Sequence, residues 1–164
     1  LYSKLLHPGV SLFIGREGFA SADEMSTTGW LFPAVSLLDK GENPTTYFSG
    51  HLMTGSHDRS LAALIEGDVD ATAVHSLVFE RASLRIQERV RIIDSSPPYG
   101  MPPVVVPSTT AGATREQLRE ALLGAHTDPA GREILRTLEI DRFVMPGPGQ
   151  YDSVEALVKR WEGR

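Results

Sequence analysis

The sequence predicts an α/β fold in which strands alternate with helices along the chain. Short apolar runs, each ended by glycine or by polar residues, are separated by segments that carry apolar residues at helical spacing. With 164 residues, 41% of them hydrophobic, the chain is long enough to bury a core. Alternation of this kind is typical of a mainly parallel sheet with helices on its faces.

Composition excludes several classes of protein. No apolar run approaches the ~20 residues of a membrane-spanning helix, and no segment has the pattern of a signal peptide. The 16 basic and 21 acidic side chains argue against a nucleic-acid partner, because nucleic-acid binders usually carry a basic excess. The absence of cysteine excludes disulfides, thiolate catalysis and cysteine-bound zinc.

Strands and helices alternate up to residue 94. The strands are short runs rich in β-forming or apolar residues, and we predict them at 10–15, 19–22, 46–52, 70–74 and 90–94. The helices carry apolar residues at helical spacing, and we predict them at 30–40, 60–66 and 77–89. Gly41 and Gly67 end the first two helices, since glycine readily adopts the backbone conformation that follows a helix.

The character of the chain changes after residue 94. Residues 95–103 contain four of the 11 prolines, which predicts an extended connection leading to a strand at 104–106. Only helices follow. Thr114 and Gln117 form a capping-box pattern that opens a helix to about residue 125, and Asp128 before Pro129 predicts a second helix start. A last helix begins near Asp152.

The first polar turn, Ser26-Thr27-Thr28-Gly29, follows a predicted strand and opens a predicted helix. In parallel sheets, ligands bind beyond the carboxyl ends of the strands, where helices begin. Free amides and three hydroxyl groups at a helix start can surround an anion, which the helix dipole also favours. The alternative is that one hydroxyl only caps the helix.

A second polar turn, Thr54 to Asp58, repeats this arrangement, and its Ser56 and His57 stand where the next helix starts. A histidine there can donate a ring N–H to an oxyanion. The alternative is that Ser56 or Asp58 caps the helix and His57 is solvated. His75 ends a later strand and either lines the same cleft or lies in the core. Together the two turns suggest one small anion held by neutral donors.

Other chemistry has no support in the sequence. The five histidines lack metal-ligand spacing, so we expect no metal site and no cofactor. No phosphate-binding glycine loop, no nucleophile elbow and no base held against a nucleophile is visible.

The chain resembles the phosphonate/phosphite/phosphate-binding proteins of ABC importers. The motifs that carry the resemblance appear in the family's order and are STTG (26–29), TGSHD (54–58), GDVDA leading to AVHS (67–76), PPYGMPPVVV (97–106) and DPAGR (128–132). The resemblance implies a periplasmic-binding-protein fold of type II, whose two α/β lobes close on a ligand about a hinge. By position, the oxyanion ligands would be Ser26, Thr27, Thr28 and His57, with Ser56 adjacent; we add His75 and Tyr99 as candidates.

The resemblance also implies a biological setting. The chain would be the substrate-binding component of an importer, a monomer without catalytic activity, periplasmic or anchored outside the cytoplasm as a lipoprotein, with a membrane permease as its partner. Residues 1–18 would belong to the first lobe and the hinge strand, 19–94 would form the second lobe, and 95–164 would return through the hinge to the helices of the first lobe.

The chain departs from the family pattern in three ways. Thr28 replaces a usual serine, and His75 stands where an aspartate is often found, which disfavours ligands that carry an ammonium group. The chain is also short, so we expect part of the first lobe, and residues between Gly18 and Phe19, to be missing. Two other functions stay open, namely an enzyme acting on a small phosphorylated substrate and a ligand-sensing domain of the same fold.

Overall fold

A computed structural model of the chain describes residues 2–4 and 18–163. The strands of this part of the chain are β1 (Tyr2–Lys4), β2 (Gly18–Ser21), β3 (Gly50–Met53), β4 (Ala71–Thr72) and β5 (Val90–Ile92). The α-helices are α1 (Phe32–Asp39), α2 (Pro44–Tyr47), α3 (His57–Glu66), α4 (Ser76–Arg81), α5 (Leu84–Gln87), α6 (Gly112–Gly124), α7 (Pro129–Leu138) and α8 (Asp152–Glu162). A π-helical turn (Thr27–Leu31) leads into α1, and a 3-10 turn (Ala125–Thr127) follows α6.

The strands form one mixed sheet with the order β3-β2-β4-β1-β5. β2 pairs in parallel with β3 and with β4, so that Phe19 lies opposite His51 on one side and opposite Ala71 on the other. β1 pairs antiparallel with β4 and β5. The predicted parallel sheet is therefore present as the three strands β3, β2 and β4. Their carboxyl ends meet at one edge, here called the carboxyl edge.

The described residues form two compact units. One comprises the residues up to 98 together with 152–163, and the other comprises residues 99–151. These limits differ from the predicted ones at 18 and 94, and the predicted assignment of the flanks to a first lobe stays a prediction.

Two apolar clusters cover the two faces of the sheet. Neighbouring residues of a strand point to opposite faces, and accordingly Phe19 and Ala20 belong to different clusters. Ala20 packs with Leu61 and Leu64 of α3. Phe19 packs with Trp30, against which Trp161 of α8 stands edge-on with 5.9 Å between ring centroids. An Arg160–Asp39 ion pair also joins α8 to α1. Helix α3 thus covers one face of the sheet, while α1 and α8 cover the other.

Three elements of the first unit differ from prediction. The helix expected at 30–40 begins at Thr27, because Ser26 caps it. The strand expected at 46–52 begins only at Gly50, because Asn43 caps a short helix that has Pro44 in its first turn. The helix expected at 77–89 breaks into α4 and α5, and Gln87 donates to the backbone carbonyls of Phe79, Glu80 and Ala82 at the break. The strand expected at 10–15 lies outside the described residues.

The second unit contains helices but no strand among its residues. The strand predicted at 104–106 is wrong, because prolines at 102, 103 and 107 lack the amide that a strand pair needs. Helix α6 begins at Gly112 rather than at the predicted Thr114 capping box. The prediction for Asp128 is confirmed, since its carboxylate accepts from the amides of Ala130 and Gly131.

Hydroxyl groups fasten the start of α3 to the end of β2. The Thr54 Oγ1 lies 2.6 Å from the Oγ of fully buried Ser60. It is also 2.9 Å from the Ser56 carbonyl and 3.1 Å from the Ser21 carbonyl. The Ser60 hydroxyl in turn reaches the Ser56 carbonyl at 3.1 Å. These bonds fix the loop that delivers the first residues of α3 to the carboxyl edge.

Thr54→Val should therefore lower the free energy of unfolding by about 1–3 kcal/mol, because buried Ser60 and nearby carbonyls lose a polar partner. Urea denaturation measures the change. Thr46→Val is the matched control, since Thr46 is exposed and its hydroxyl has no hydrogen bond in the described chain, and it should stay within about 0.5 kcal/mol of the parent. Equal stability of the two variants would contradict the fastening role.

Candidate functional site

Three helices start at the carboxyl edge. Ser26, Ser56 and His75 are the residues that cap them, and these residues follow β2, β3 and β4 in turn. The amides at a helix start have no partner within the helix, so three sets of free donors collect where the parallel strands end. We call the candidate residues at this place the donor cluster; they are Ser26, Thr27, Thr28, Ser56, His57 and His75.

The first turn uses one hydroxyl for capping and leaves two. The Ser26 Oγ accepts from the Gly29 amide at 3.0 Å. Thr27 and Thr28 are half-buried, and among the described residues neither their hydroxyl groups nor their amides have a hydrogen-bond partner. The turn therefore fits both interpretations made from the sequence, capping and anion binding. Ser26 caps the helix, while the two threonines keep their donors available.

His57 lies against this turn from the neighbouring helix. Its Nε2 is 3.5 Å from the Ser26 Oγ. Its Nδ1 is buried and makes no hydrogen bond of normal geometry with the described part of the chain. A Cβ at Gly29 would stand 2.8 Å from the Ser26 Oγ and 3.2 Å from His57 Cε1, so only glycine allows this close approach. The Ser56 Oγ caps α3 by accepting from the Arg59 amide at 3.2 Å.

The surroundings of His57 keep its ring neutral at pH 7. Burial lowers the pKa of His57 most, and His75 lowers it further. A backbone interaction with Ala73 and the charges of Asp23 and Asp58 act in the opposite direction, but the balance leaves the pKa below 6.5. His57 therefore enters the site as an uncharged hydrogen-bonding group.

His75 completes the cluster from the third strand. The centroids of its ring and the His57 ring are 6.4 Å apart, with the planes at 64°. Its Nδ1 accepts from the Leu77 amide at 3.2 Å and thereby caps α4. His75 is half-buried, so it is not the core histidine that the sequence left open.

The structure places Tyr99 in the second unit, where burial raises the pKa of its phenol. Its role as a ligand contact stays a prediction. Of the supporting residues, Gly29 and Thr54 belong to the two polar turns identified from the sequence, whereas no sequence pattern indicated the role of Ser60.

A further contact links the Oγ of buried Ser21 to His51 Nε2 at 2.7 Å, and the His51 ring stacks on Trp30 with 4.5 Å between centroids. Burial lowers the pKa of His51. This contact adds a side-chain link between the neighbouring strands β2 and β3.

The described residues contain no candidate for another kind of site. Within residues 2–4 and 18–163, acidic and histidine side chains nowhere gather in threes at a spacing suited to a metal ion. No helix in that part of the chain is long and apolar enough to cross a membrane.

Comparison with known proteins identifies the family. The family model described as the periplasmic substrate-binding protein of phosphonate ABC transporters matches residues 14–151. The chain therefore belongs to this family, which is one of transport proteins rather than enzymes. The resemblance stated from the sequence motifs is confirmed.

Solved structures confirm the α/β fold of the periplasmic-binding type. PhnD1 from Prochlorococcus marinus, solved with methylphosphonate, has a TM-score of 0.71 and 21% identity, over 91% of this chain and 58% of that one. A binding component of a phosphonate ABC transporter from Pseudomonas aeruginosa has a TM-score of 0.70 and 19% identity, over 87% and 48%. A Xanthomonas citri protein solved with ATP has a TM-score of 0.68 and 21% identity, over 99% and 64%. The chain thus spans roughly half to two thirds of their length.

The lowered pKa of His57 predicts a stability that depends on pH. The unfolded chain, with a histidine pKa of 6.5, binds a proton more readily than the folded chain. Stability should therefore be lost as the pH falls from 6.5 through the folded pKa. In His57→Gln the loss between pH 6.5 and about pH 5 should be smaller, as followed by thermal melting without ligand.

His126→Gln is the control for this measurement, because His126 is exposed and belongs to the second unit. It should keep the pH profile of the parent. An unchanged profile in His57→Gln would show that the ring does not titrate as its burial requires.

Proposed function

We propose that this chain is the ligand-binding part of an importer's substrate-binding component, and that the donor cluster holds a phosphonate, phosphite or phosphate. One observation carries the proposal. The amides and hydroxyls of Thr27 and Thr28 have no hydrogen-bond partner among the described residues, and they stand at a helix start that His57 adjoins. Half-buried donors without partners are what an oxyanion with several acceptor oxygens would satisfy.

The chemistry of the cluster favours a small, highly charged anion. Helix starts carry partial positive charge, and two of them, before Thr27 and before His57, adjoin at Ser26. A phosphorus oxyanion offers three or four oxygens in a compact volume, so it can accept from both helix starts at once. A ligand with fewer acceptors would leave donors unsatisfied, at about 1–3 kcal/mol for each buried group.

The biological setting belongs to the same proposal. The family supports delivery of the captured ligand to a membrane permease from the periplasmic side, without chemical change to the ligand. Methylphosphonate in the Prochlorococcus relative supports the ligand class. We further propose that the chain acts as a monomer and that Tyr99 is a ligand contact.

A thermal-shift panel with methylphosphonate, phosphite, phosphate, aminoethylphosphonate and sulfate tests the ligand class. A ligand that binds only the folded chain stabilises it by roughly 2.7 kcal/mol at about 100-fold excess over Kd. We expect stabilisation by phosphorus oxyanions and not by sulfate. A chain that only binds its ligand should release no phosphate from phosphomonoesters. Such release would favour the alternative that the chain is an enzyme. No shift with any phosphorus oxyanion would contradict the proposal.

Thr27→Val should weaken binding of the best phosphorus ligand by about 1–3 kcal/mol, because a hydrogen bond to a charged acceptor is lost. The melting temperature without ligand should hardly change, since the Thr27 hydroxyl has no partner in the described protein. Calorimetric titration measures the affinity, and Thr46→Val serves again as the exposed control. Parent-like affinity would remove Thr27 from the site.

A further inference from the structure

We infer that Trp161, in the last helix α8, is a positioning residue for the first polar turn. Through its contact with Trp30 it holds Thr27 and Thr28 in the geometry that presents their donors to a ligand. The inference rests on the proposed function, because it explains how the proposed ligand donors are aimed. It gives a helix far from the turn in sequence a part in binding.

The two threonines do not fix their own orientation. Neither the hydroxyl groups nor the amides of Thr27 and Thr28 have a hydrogen-bond partner among the described residues. Their direction therefore depends on the residues at the two ends of the turn. Ser26 fixes the first end, since its hydroxyl caps the turn, and Trp30 lies at the second end.

The backbone joins Trp30 to the cap of the turn. The amides of Trp30 and Leu31 both donate to the Ser26 carbonyl, at 3.0 and 2.9 Å, which gives the turn its wide π-helical form. The Trp30 side chain is buried, with 8% of its surface exposed. A displacement of this ring would therefore be passed to the backbone that carries the two threonines.

Three aromatic rings from three elements surround the Trp30 ring. Phe19 of β2 lies 6.3 Å away between centroids, and His51 of β3 stacks at 4.5 Å. Trp161 of α8 stands edge-on at 5.9 Å, with the two planes at 84°. The sheet thus supplies two of these contacts, and α8 supplies the third.

Helix α8 is itself fastened beside the turn. Arg160 pairs with Asp39 of α1, and α1 continues directly from the π-helical turn, so the ion pair ties α8 to the element that begins with the threonines. Loss of the Trp161 ring would leave a space next to Trp30, into which the surroundings relax only in part. The turn would then no longer be held in one geometry.

Two variants at Trp161 and one control separate positioning from stability. Trp161→Leu removes the ring edge but keeps an apolar side chain, whereas Trp161→Phe keeps an aromatic edge. Leu157→Ala is the matched control, because Leu157 is buried in the same helix but belongs to neither apolar cluster. It should destabilise the chain without releasing Trp30.

Calorimetric titration with methylphosphonate, at a temperature where all variants are folded, measures the effect on binding. Trp161→Leu should bind at least about 10-fold more weakly than the parent. Trp161→Phe should recover most of this loss. Leu157→Ala should keep the Kd of the parent, although its midpoint of urea denaturation falls.

Amide hydrogen exchange tests the turn without any ligand. In Trp161→Leu, protection of the Trp30 and Leu31 amides should fall relative to protection of the Ser60 amide in α3, because the turn opens locally. In Leu157→Ala the ratio should stay that of the parent, since a loss of overall stability lowers both protections together.

The outcomes separate this inference from the proposal on which it rests. If the parent binds no phosphorus oxyanion, the proposed function fails, and the exchange ratio still decides whether Trp161 holds the turn. If the parent binds but Trp161→Leu keeps the Kd or the exchange ratio of the parent, the inference on Trp161 alone is overturned. An equal loss of affinity in Trp161→Leu and Leu157→Ala would also overturn it, because both would then act only through stability.

Discussion

The parallel pairing of β2 with β3 and β4 is the constraint on which the site depends. Parallel strands all end at the same edge, so the turns that follow them are brought together although they are about 20 to 30 residues apart in sequence. Antiparallel pairing would have sent alternate turns to opposite edges. Because Ser26, Ser56 and His75 each begin a helix there, one sheet edge collects three sets of amides that need acceptors.

The order of the strands explains why helices from opposite faces meet at this edge. The chain leaves β2 for β3 on one side and then crosses back past β2 to β4 on the other. Crossovers between parallel strands are right-handed. When the chain reverses the direction in which it moves across the sheet, the connecting helix therefore lies on the other face. Helix α1 accordingly packs on the Phe19 face and α3 on the Ala20 face. Their first residues approach across the sheet edge, where Ser26 and His57 come within 3.5 Å.

The sequence predicts this part of the molecule well, because local signals determine it. Apolar runs, the glycines after α1 and α3 and the hydroxyl residues before them are readable one segment at a time, and with the strand ends they place six of the seven candidate residues at one edge. Local sequence signals do not predict features that depend on residues far away in the chain. The antiparallel pairing of β1 joins residues far apart in the chain, and the buried Thr54–Ser60 contact depends on which face α3 covers. The apolar run at 104–106 has the composition of a strand, but the prolines around it lack the amide N–H groups that strand pairing needs.

The proposed binding site, which is made of uncharged donors, suits a chain with a formal net charge of −5. Lysine or arginine in the cleft would attract many anions over a long distance, whereas amides, hydroxyls and neutral rings act only at contact. The surrounding carboxylates of Asp23 and Asp58 then weaken the approach of anions in general, and a ligand compensates only by satisfying several donors together. In the proposed site, selectivity therefore depends on the number and direction of the acceptors that a ligand offers.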